Sequence, residues 1–252
     1  MKTALITGAT SGIGNEFAYQ LAEQGYRLIV TGRRVERLEE LKSQVNVPVE
    51  IIEADLSKKK ECFGLLEKLQ YENIDIFINN AGLGVAGSFL ETDIKKEVNM
   101  LKVNDLAMHI LFKGILQRMH AVGKGQILNV GSSAGLLPAG PYMAGYYASK
   151  SYVVSLTRAV VQELKEAKSN VKVSVLCPGP VDTEFNDTAD VVFALKGISA
   201  KECVAEALKG MDKNKTIIVP SLRMKLAMTF SHLVPYPILV RMTGRQQKKK
   251  LG

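Results

Sequence analysis

The sequence contains no tryptophan, only three cysteines and no acidic residue after Asp212. Cys62, Cys177 and Cys203 form an odd set without a C-x-x-C pair, so a disulfide framework or a zinc cluster is not expected and no metal site is proposed. The same cysteine usage favours a reducing compartment, and the cytoplasm is the expected location. No apolar run reaches the roughly 18 residues of a membrane span, and the N-terminal apolar run is too short for a signal peptide.

The charges are distributed unevenly along the chain. Nine of the 33 lysines and arginines lie in residues 213–252, which contain no aspartate or glutamate. The other 24 are balanced by all 25 acidic residues, so residues 1–212 are close to neutral. Proteins that bind nucleic acid spread basic residues over the binding face, and this distribution therefore disfavours nucleic acid as a partner.

Short apolar runs alternate with amphipathic segments. The pattern predicts strands at 2–7, 27–31, 49–53, 74–79, 126–130, 171–177 and 216–219. It predicts helices near 12–24, 34–44, 58–70, 94–120, 145–168 and 200–212. Because strands and helices alternate and several strands are continuously apolar, we expect an α/β fold with a doubly wound parallel sheet of about seven strands and helices on both faces.

No linker divides the chain, which indicates a single domain over residues 1–220 followed by an extension at 221–252. The extension is apolar and flanked by basic residues. Three interpretations remain open: helices that close a pocket or join two subunits, a membrane-surface element, and an unstructured basic tail. The first is preferred, because Pro235 and Pro237 interrupt any long amphipathic helix.

A glycine-rich loop follows the first expected strand and opens the first expected helix. Its spacing is G-x-x-x-G-x-G, and residues without a Cβ permit a tight turn and close approach of the backbone to a phosphate. The helix N terminus offers N–H groups and a positive dipole end to a pyrophosphate. The loop therefore predicts dinucleotide binding, with a purely structural turn as the alternative. The residues expected at the dinucleotide are Gly8, Thr10, Ser11, Gly12, Ile13 and Gly14.

The end of the second strand indicates which dinucleotide is preferred. NAD sites usually place an acidic residue there, whereas this chain has Gly32 followed by Arg33 and Arg34. A guanidinium can bind a 2′-phosphate through two hydrogen bonds, so NADP(H) is preferred over NAD(H). The alternative is that both arginines are solvated at a helix start. Asp55, followed by Leu56, either meets the adenine or caps the next helix.

The spacing Tyr146-x-x-x-Lys150 lies near the start of a long expected helix. Residues four apart share one helix face, and a lysine charge beside a phenol lowers the phenol pKa. A tyrosine in that setting can act as a general acid or base. Neither Tyr142 nor Tyr147 has a lysine four residues later, so Tyr146 is the candidate. Alone, the spacing is common by chance.

Polar residues end the fourth and fifth expected strands. The run NNAG occupies residues 79–82, and Ser133 stands thirteen residues before Tyr146. A serine at this edge of a sheet can donate a hydrogen bond to a substrate carbonyl, although Ser132 and Ser133 also suit a simple turn. Asn104 lies inside an expected helix, where its propensity is poor, so it is either exposed or bonded to a specific partner.

Together these motifs resemble the short-chain dehydrogenase/reductase family in its single-domain form. The resemblance also includes Pro178–Thr183 after the sixth strand and ends near residue 190. It implies a Rossmann-type sheet in the order 3-2-1-4-5-6-7 and an NADP(H)-dependent oxidoreductase that interconverts a carbonyl and an alcohol. It further implies a small-molecule substrate and a homodimer or homotetramer.

The resemblance also implies roles for individual residues. Ser133 would orient the carbonyl and Tyr146 would transfer the proton. Lys150 would lower the tyrosine pKa and bind the nicotinamide ribose, while Asn104 would hold a water molecule. The further residues that it places at the cofactor are Asn80, Ala81, Gly82, Pro178, Gly179, Val181 and Thr183. A substrate lid would fall at residues 183–198, where Phe185, Val191, Val192, Phe193 and Leu195 either line a pocket or pack a helix.

Two other functions remain open at this point. One is a nucleotide-binding regulator without catalysis, against which the intact set of Ser133, Tyr146, Lys150 and Asn104 argues, because a binding module needs no proton relay. The other is a membrane-peripheral reductase of a lipid-like substrate, which would use the apolar and basic C-terminal extension.

Overall fold

A parallel sheet of seven strands forms the centre of the protein. The structure is a computed structural model that describes residues 1–184, 197–231 and 233–248. The strands of this sheet are β1 (Thr3–Thr7), β2 (Arg27–Gly32), β3 (Val49–Glu53), β4 (Ile76–Asn79), β5 (Gln126–Val130), β6 (Lys172–Leu176) and β9 (Ile217–Ile218). Their order, β3-β2-β1-β4-β5-β6-β9, is the one that the resemblance implies. Two-residue strands β7 (Val181–Asp182) and β8 (Ile198–Ser199) form a separate parallel pair.

Helices lie between the strands, close to their expected positions, and two further helices follow the last strand. They are α1 (Gly12–Glu23), α2 (Val35–Ser43), α3 (Lys59–Lys68), α4 (Ile94–Leu101), α5 (Met108–Val122), α6 (Ala144–Glu166), α7 (Ala200–Asp212), α8 (Leu222–Ser231) and α9 (Tyr236–Lys248). The single helix expected at 94–120 is divided, because a π-helical turn at Lys102–Ala107 joins α4 to α5. The candidate lid residues Phe185, Val191, Val192, Phe193 and Leu195 lie outside the described residues.

Apolar side chains on both faces of the sheet confirm the doubly wound prediction. Along the fully buried β1, Ala4 and Ile6 join one apolar cluster and Leu5 joins the other, as the alternation of side chains along a strand requires. The first cluster contains Phe17 of α1, and the second contains Phe112 of α5. Burying each such large side chain stabilises the fold by about 1.5–3 kcal/mol.

A buried chain of polar side chains connects the sheet to α6. Asn79 at the end of β4 donates to the Oδ1 of Asn129 in β5 at 3.1 Å, and Asn129 donates to the Oγ1 of Thr157 at 3.0 Å. Buried polar groups are costly unless every one is bonded, so these contacts fix one position of α6 relative to the strands. These hydrogen bonds therefore hold the helix that carries Tyr146 and Lys150.

The two C-terminal helices pack against the domain. Lys225 of α8 forms an ion pair of 2.9 Å with Glu206 of α7. Gly179 and Gly244 mark close contacts, since a Cβ on either would approach Met224 or Pro141 to about 3 Å. The interpretation as an unstructured tail therefore does not apply to α8 and α9. In the part of the chain that the structure describes, no helix is long and apolar enough to cross a membrane.

Candidate active site

A cavity of about 890 Å³ opens where the carboxyl ends of the parallel strands meet. In doubly wound sheets, ligands bind at this edge, where the strand order reverses, here between β1 and β4. Every residue predicted to bind the cofactor or to act in catalysis lines the cavity, except Gly14 and Asn104. The topology thus brings together residues from position 8 to position 183 of the chain.

The glycine loop has a backbone conformation that residues with a side chain rarely adopt. Gly8 and Gly12 have φ angles of +67° and +55°. Gly14 does not line the cavity but shapes the loop, because a Cβ there would lie 2.3 Å from the carbonyl oxygen of Gly8. The side chain of Asn80 donates to the carbonyls of Thr7 and Gly8, at 3.0 and 3.1 Å, and so ties the loop to the end of β4.

The first turn of α1 faces this loop. Ser11 is its N-cap residue and makes no side-chain capping bond, so the N–H groups of the turn are not satisfied by a cap. Ser11, Gly12 and Ile13 line the cavity. Such an N terminus suits an anionic group such as a pyrophosphate.

The two arginines after β2 have different surroundings. Arg34 bonds Glu184 at 3.0 Å and the Oγ1 of Thr10 at 3.1 Å. Arg33 is exposed, lines the cavity, and forms no ion pair with any residue that the structure describes. Gly32 leaves no room for a larger residue without rearrangement, since a Cβ would lie 2.5 Å from the Cγ2 of Thr10.

Asp55 lines the cavity and also stabilises the backbone after β3. Its Oδ1 accepts hydrogen bonds from the backbone N–H of Ser57 at 3.1 Å and from the Ser57 hydroxyl at 2.8 Å. Helix α3 begins four residues later, at Lys59, with Lys58 as its N-cap residue, so Asp55 stabilises the preceding turn rather than capping the helix itself. The local turn leaves the adenine contact open as a prediction.

Tyr146 and Lys150 lie in the first two turns of α6. The Nζ of Lys150 is 5.9 Å from the centre of the Tyr146 ring and donates to the carbonyl of Val130, at the end of β5, at 3.0 Å. Only 5% of Lys150 is exposed. Burial lowers the pKa of Lys150 to about 8, while the charge of Asp105 opposes this shift.

The pKa of Tyr146 corrects an expectation from the sequence. The spacing to Lys150 predicts a lowered pKa, but burial raises the pKa of Tyr146 to about 12, and a hydrogen bond with the Ser132 side chain opposes that rise. Desolvation disfavours the phenolate more strongly than the distant ammonium group favours it. At neutral pH the Tyr146 hydroxyl is therefore protonated and able to donate.

Of the two adjacent serines after β5, the structure places Ser132 next to Tyr146. The Oγ of Ser132 also accepts from the backbone N–H of Ala134 at 3.1 Å. Ser133 lines the cavity too, and its backbone N–H donates to the carbonyl of Pro178 at 2.8 Å. Counting thirteen residues back from Tyr146 selects Ser133, whereas the path of the loop between β5 and α6 brings Ser132 to the tyrosine.

Asn104 is buried in the π-helical turn and bonded to specific partners. Its Oδ1 accepts from the backbone N–H of Leu83 at 2.8 Å, and its Nδ2 donates to the Leu83 carbonyl at 2.9 Å and to the Ser149 hydroxyl at 3.0 Å. The side chain thus holds the loop after β4 against α6. The water molecule that the resemblance assigns to Asn104 stays a prediction.

Comparison with known proteins identifies the family. The family model described as short chain dehydrogenase matches residues 2–191. This chain belongs to the short-chain dehydrogenase family. Its members are oxidoreductases, and the NADP-dependent 3-hydroxy acid dehydrogenase of Schizosaccharomyces pombe is 35% identical over 195 residues, which cover 73% of each chain.

Solved structures of other short-chain dehydrogenases share the fold over nearly the whole chain. One from Sphingobium yanoikuyae, in complex with NADPH, is 29% identical, with a TM-score of 0.83 over 92% of each chain. The bulky-bulky ketone specific alcohol dehydrogenase of Comamonas testosteroni is 28% identical, with a TM-score of 0.77 over 92% of this chain and 93% of that one.

In this short-chain dehydrogenase, the two C-terminal helices form a roof over the cavity. The roof consists of Met224, Ala227, Met228, Gln246 and Gln247. Gln247 is 4% exposed, and its Oε1 atom is buried with no hydrogen-bond partner among the described residues. None of these five residues was predicted from the sequence, which indicated an apolar segment here but not which of its side chains face the site.

The three thiols are buried, and none of them lines the cavity. Burial raises the pKa of Cys177 and Cys203 to about 12 and that of Cys62 to about 11. Thiols that stay protonated at neutral pH are poor nucleophiles. Within the described ranges, no group of three or more His, Cys, Asp or Glu side chains is arranged to hold a metal ion.

Proposed function

We propose that this short-chain dehydrogenase interconverts a carbonyl compound and an alcohol with NADP(H) as the hydride carrier. The observation that carries the proposal is the bonded pair Ser132 and Tyr146 beside buried Lys150, at the cavity that the glycine loop also lines. A small-molecule substrate fits a cavity of this size.

The residues that line the cavity fit a dinucleotide. The N terminus of α1 and the glycine loop would hold the pyrophosphate, Asp55 and Leu56 would lie at the adenine, and Asn80–Gly82 would support the central part. Val181 and Thr183 would bind the nicotinamide carboxamide, next to Pro178 and Gly179.

The preference for NADP(H) over NAD(H) rests on Arg33. Its guanidinium is exposed at the cavity, and no acidic residue follows β2 to repel a 2′-phosphate. Arg34 is already bonded to Glu184, which makes it a weaker candidate than the sequence suggests. A relative named as NADP-dependent and a similar structure in complex with NADPH agree with this choice.

Side chains of the protein account for the proposed proton transfer. The nicotinamide cofactor supplies the hydride when it is bound. In the reductive direction, Ser132 donates a hydrogen bond to the carbonyl oxygen and stabilises its developing negative charge. Tyr146, whose pKa burial raises to about 12, is protonated at neutral pH and gives its proton to that oxygen. The positive charge of Lys150 then stabilises the phenolate that remains.

The apolar side chains that line the cavity favour an apolar substrate. Met143, Met224 and Met228 line it together with Leu137. Thioether side chains adapt their shape to irregular apolar ligands. We therefore favour a carbonyl carried on an apolar skeleton as the substrate class.

The expected homodimer or homotetramer is also kept as a proposal. Apolar side chains are exposed along α4 at Ile94, Val98 and Leu101. An exposed apolar stripe of this kind is typical of a contact between subunits.

The proposal is tested with Tyr146→Phe in an assay of NADPH oxidation over a panel of ketones and aldehydes. Loss of the general acid should lower kcat by roughly 10²–10⁴ while NADPH binding is retained. Tyr152→Phe is a matched control, because Tyr152 lies on the same helix but bonds His109 instead of lining the cavity. Near-normal turnover by Tyr146→Phe would refute the assignment, and nucleotide binding without turnover of any substrate by the native protein would favour the regulator.

A further inference from the structure

The side of α8 that points away from the cavity carries a continuous apolar row. Leu222, Leu226 and Phe230 recur every four residues and therefore lie on one face, and Leu233 continues the row after the helix. These four side chains are between 51% and 78% exposed. Soluble proteins rarely leave so many large apolar side chains together in water without a partner.

Helix α9 adds apolar and basic rows side by side. Ile238 and Met242 are four residues apart and each is about half exposed. Arg241, Arg245 and Lys248 follow at spacings of four and three and are exposed as well. The helix thus has an apolar stripe next to a cationic stripe, while its other side is buried against the domain.

The charge of this surface has one sign. We define the outer face as ten large apolar or basic exposed side chains of α8, α9 and the turn between them: Leu222, Arg223, Leu226, Phe230, Leu233, Ile238, Arg241, Met242, Arg245 and Lys248. Residues 213–252 contain no aspartate or glutamate. Among the described residues, Lys225 pairs with Glu206, whereas the four cations of the outer face form no ion pair.

We propose that the outer face binds the surface of an anionic lipid bilayer, with α8 and α9 lying in the plane of the interface. Apolar side chains would enter the acyl boundary while arginine and lysine meet the headgroup phosphates. Helices of 10 and 13 residues are too short to span, since a span needs about 20. Pro235 and Pro237 separate them, so each can lie flat.

A second copy of the chain fits this surface less well. Two-fold contacts place the same surface of both subunits against each other. The outer face would then oppose four cations with four cations and no acid, and like charges at short range repel. An anionic bilayer supplies the complementary charge and an apolar layer in one partner.

The packing leaves the outer face free for such a contact. The opposite sides of the same helices are already used, with Met224 and Met228 at the cavity and Thr243 and Gln247 buried. The bilayer contact therefore does not depend on the proposed reaction, but it would bring the roof of the cavity to the lipid surface.

The test is co-sedimentation of the full chain with phosphatidylcholine vesicles, with and without phosphatidylglycerol. We expect binding to the anionic vesicles that weakens as salt rises. Arg241→Ala combined with Arg245→Ala should weaken it roughly thirtyfold, since each basic residue near the surface contributes about fivefold. Leu226→Ser combined with Phe230→Ser should abolish it.

Matched controls carry the same changes on other surfaces. Arg158→Ala with Lys165→Ala removes two exposed cations from α6, and Tyr71→Ser with Leu90→Ser removes two exposed apolar side chains. These variants should bind as the native chain does, and thermal melting should show that all variants fold. Failure of the native chain to sediment at low salt would overturn the proposal, as would equal losses in the controls. It would also be overturned if the outer-face variants changed only the oligomeric state measured by analytical ultracentrifugation.

Discussion

Gln247 donates a hydrogen bond to the hydroxyl of Tyr147 over 2.5 Å, and the two residues are separated by 100 positions in the chain. Tyr147 follows Tyr146 on α6, so this bond connects the last helix directly to the helix that carries the proposed proton donor. Both side chains are buried and line the cavity. The roof is thus fixed to the site by a polar contact in addition to its methionines.

We expect Gln247→Leu to impair substrate use without weakening NADPH binding. The change removes the Nε2 donor and leaves the buried Tyr147 hydroxyl without this partner, a loss of about 1–3 kcal/mol in the free energy of unfolding. It also removes Oε1, the unpartnered acceptor at the cavity. The expected result is a higher KM for substrates with a hydrogen-bond donor, measured against apolar substrates of similar size.

A double-mutant cycle with Tyr147→Phe provides the control for this variant. If the bond matters, the two changes should be non-additive, because either one removes it. Additive effects on stability and an unchanged KM for every substrate would contradict the role of the contact.

Ser132 and Ser133 can be separated by single substitutions. Ser132→Ala should lower kcat by roughly 10²–10³, because it removes a hydrogen-bond donor to the developing oxyanion. Ser133→Ala should have a much smaller effect, since the contact of Ser133 with Pro178 uses its backbone N–H. Steady-state measurements of kcat for both variants test this assignment. A larger loss in Ser133→Ala than in Ser132→Ala would favour Ser133, the residue that sequence spacing selects.

Arg33 should determine the choice between the two dinucleotides. Arg33→Ala is expected to weaken NADPH binding roughly 10- to 100-fold, the usual range for a hydrogen bond to a charged group, and to leave NADH binding unchanged. Fluorescence titration of both cofactors gives the two dissociation constants. Arg37→Ala is the control, because Arg37 is a nearby arginine on α2 that does not line the cavity. An unchanged ratio in Arg33→Ala would reject the assignment.

The pH dependence of carbonyl reduction should report the ionisation of Lys150. Its pKa is lowered to about 8 by burial, so it is charged below that pH and neutral above it. Because the charge stabilises the phenolate that forms on Tyr146, kcat/KM should be level below about pH 8 and fall as pH rises through that value. Lys165→Met, a change at an exposed lysine of α6, should leave the profile unchanged. A profile that stays level to pH 10 would contradict this role.

Features set by local sequence were predicted well. The strands and the helices up to residue 212 follow from apolar periodicity, and the glycine loop follows from spacing within seven residues. For Asn104 the sequence left two alternatives, an exposed side chain or one bonded to a specific partner, and the structure shows the second. Such signals lie within one or two turns of the chain, where sequence order and spatial order agree.

Features set by burial or by distant contacts were not predicted. The pKa of Tyr146 depends on desolvation, which residue spacing does not express. The choice of Ser132 over Ser133 depends on the path of a loop. Gln247 meets Tyr147 only after the whole sheet has formed, so no local pattern marks it.

The residues that line the cavity are synthesised in two groups, because they are far apart along the chain. The glycine loop, Arg33, Ser132, Tyr146 and Lys150 leave the ribosome first, whereas the roof follows the last strand of the sheet. The cavity therefore stays open on the side of the roof until α8 and α9 have been synthesised and have packed against the domain, so a chain that ended after β9 would present the cavity uncovered.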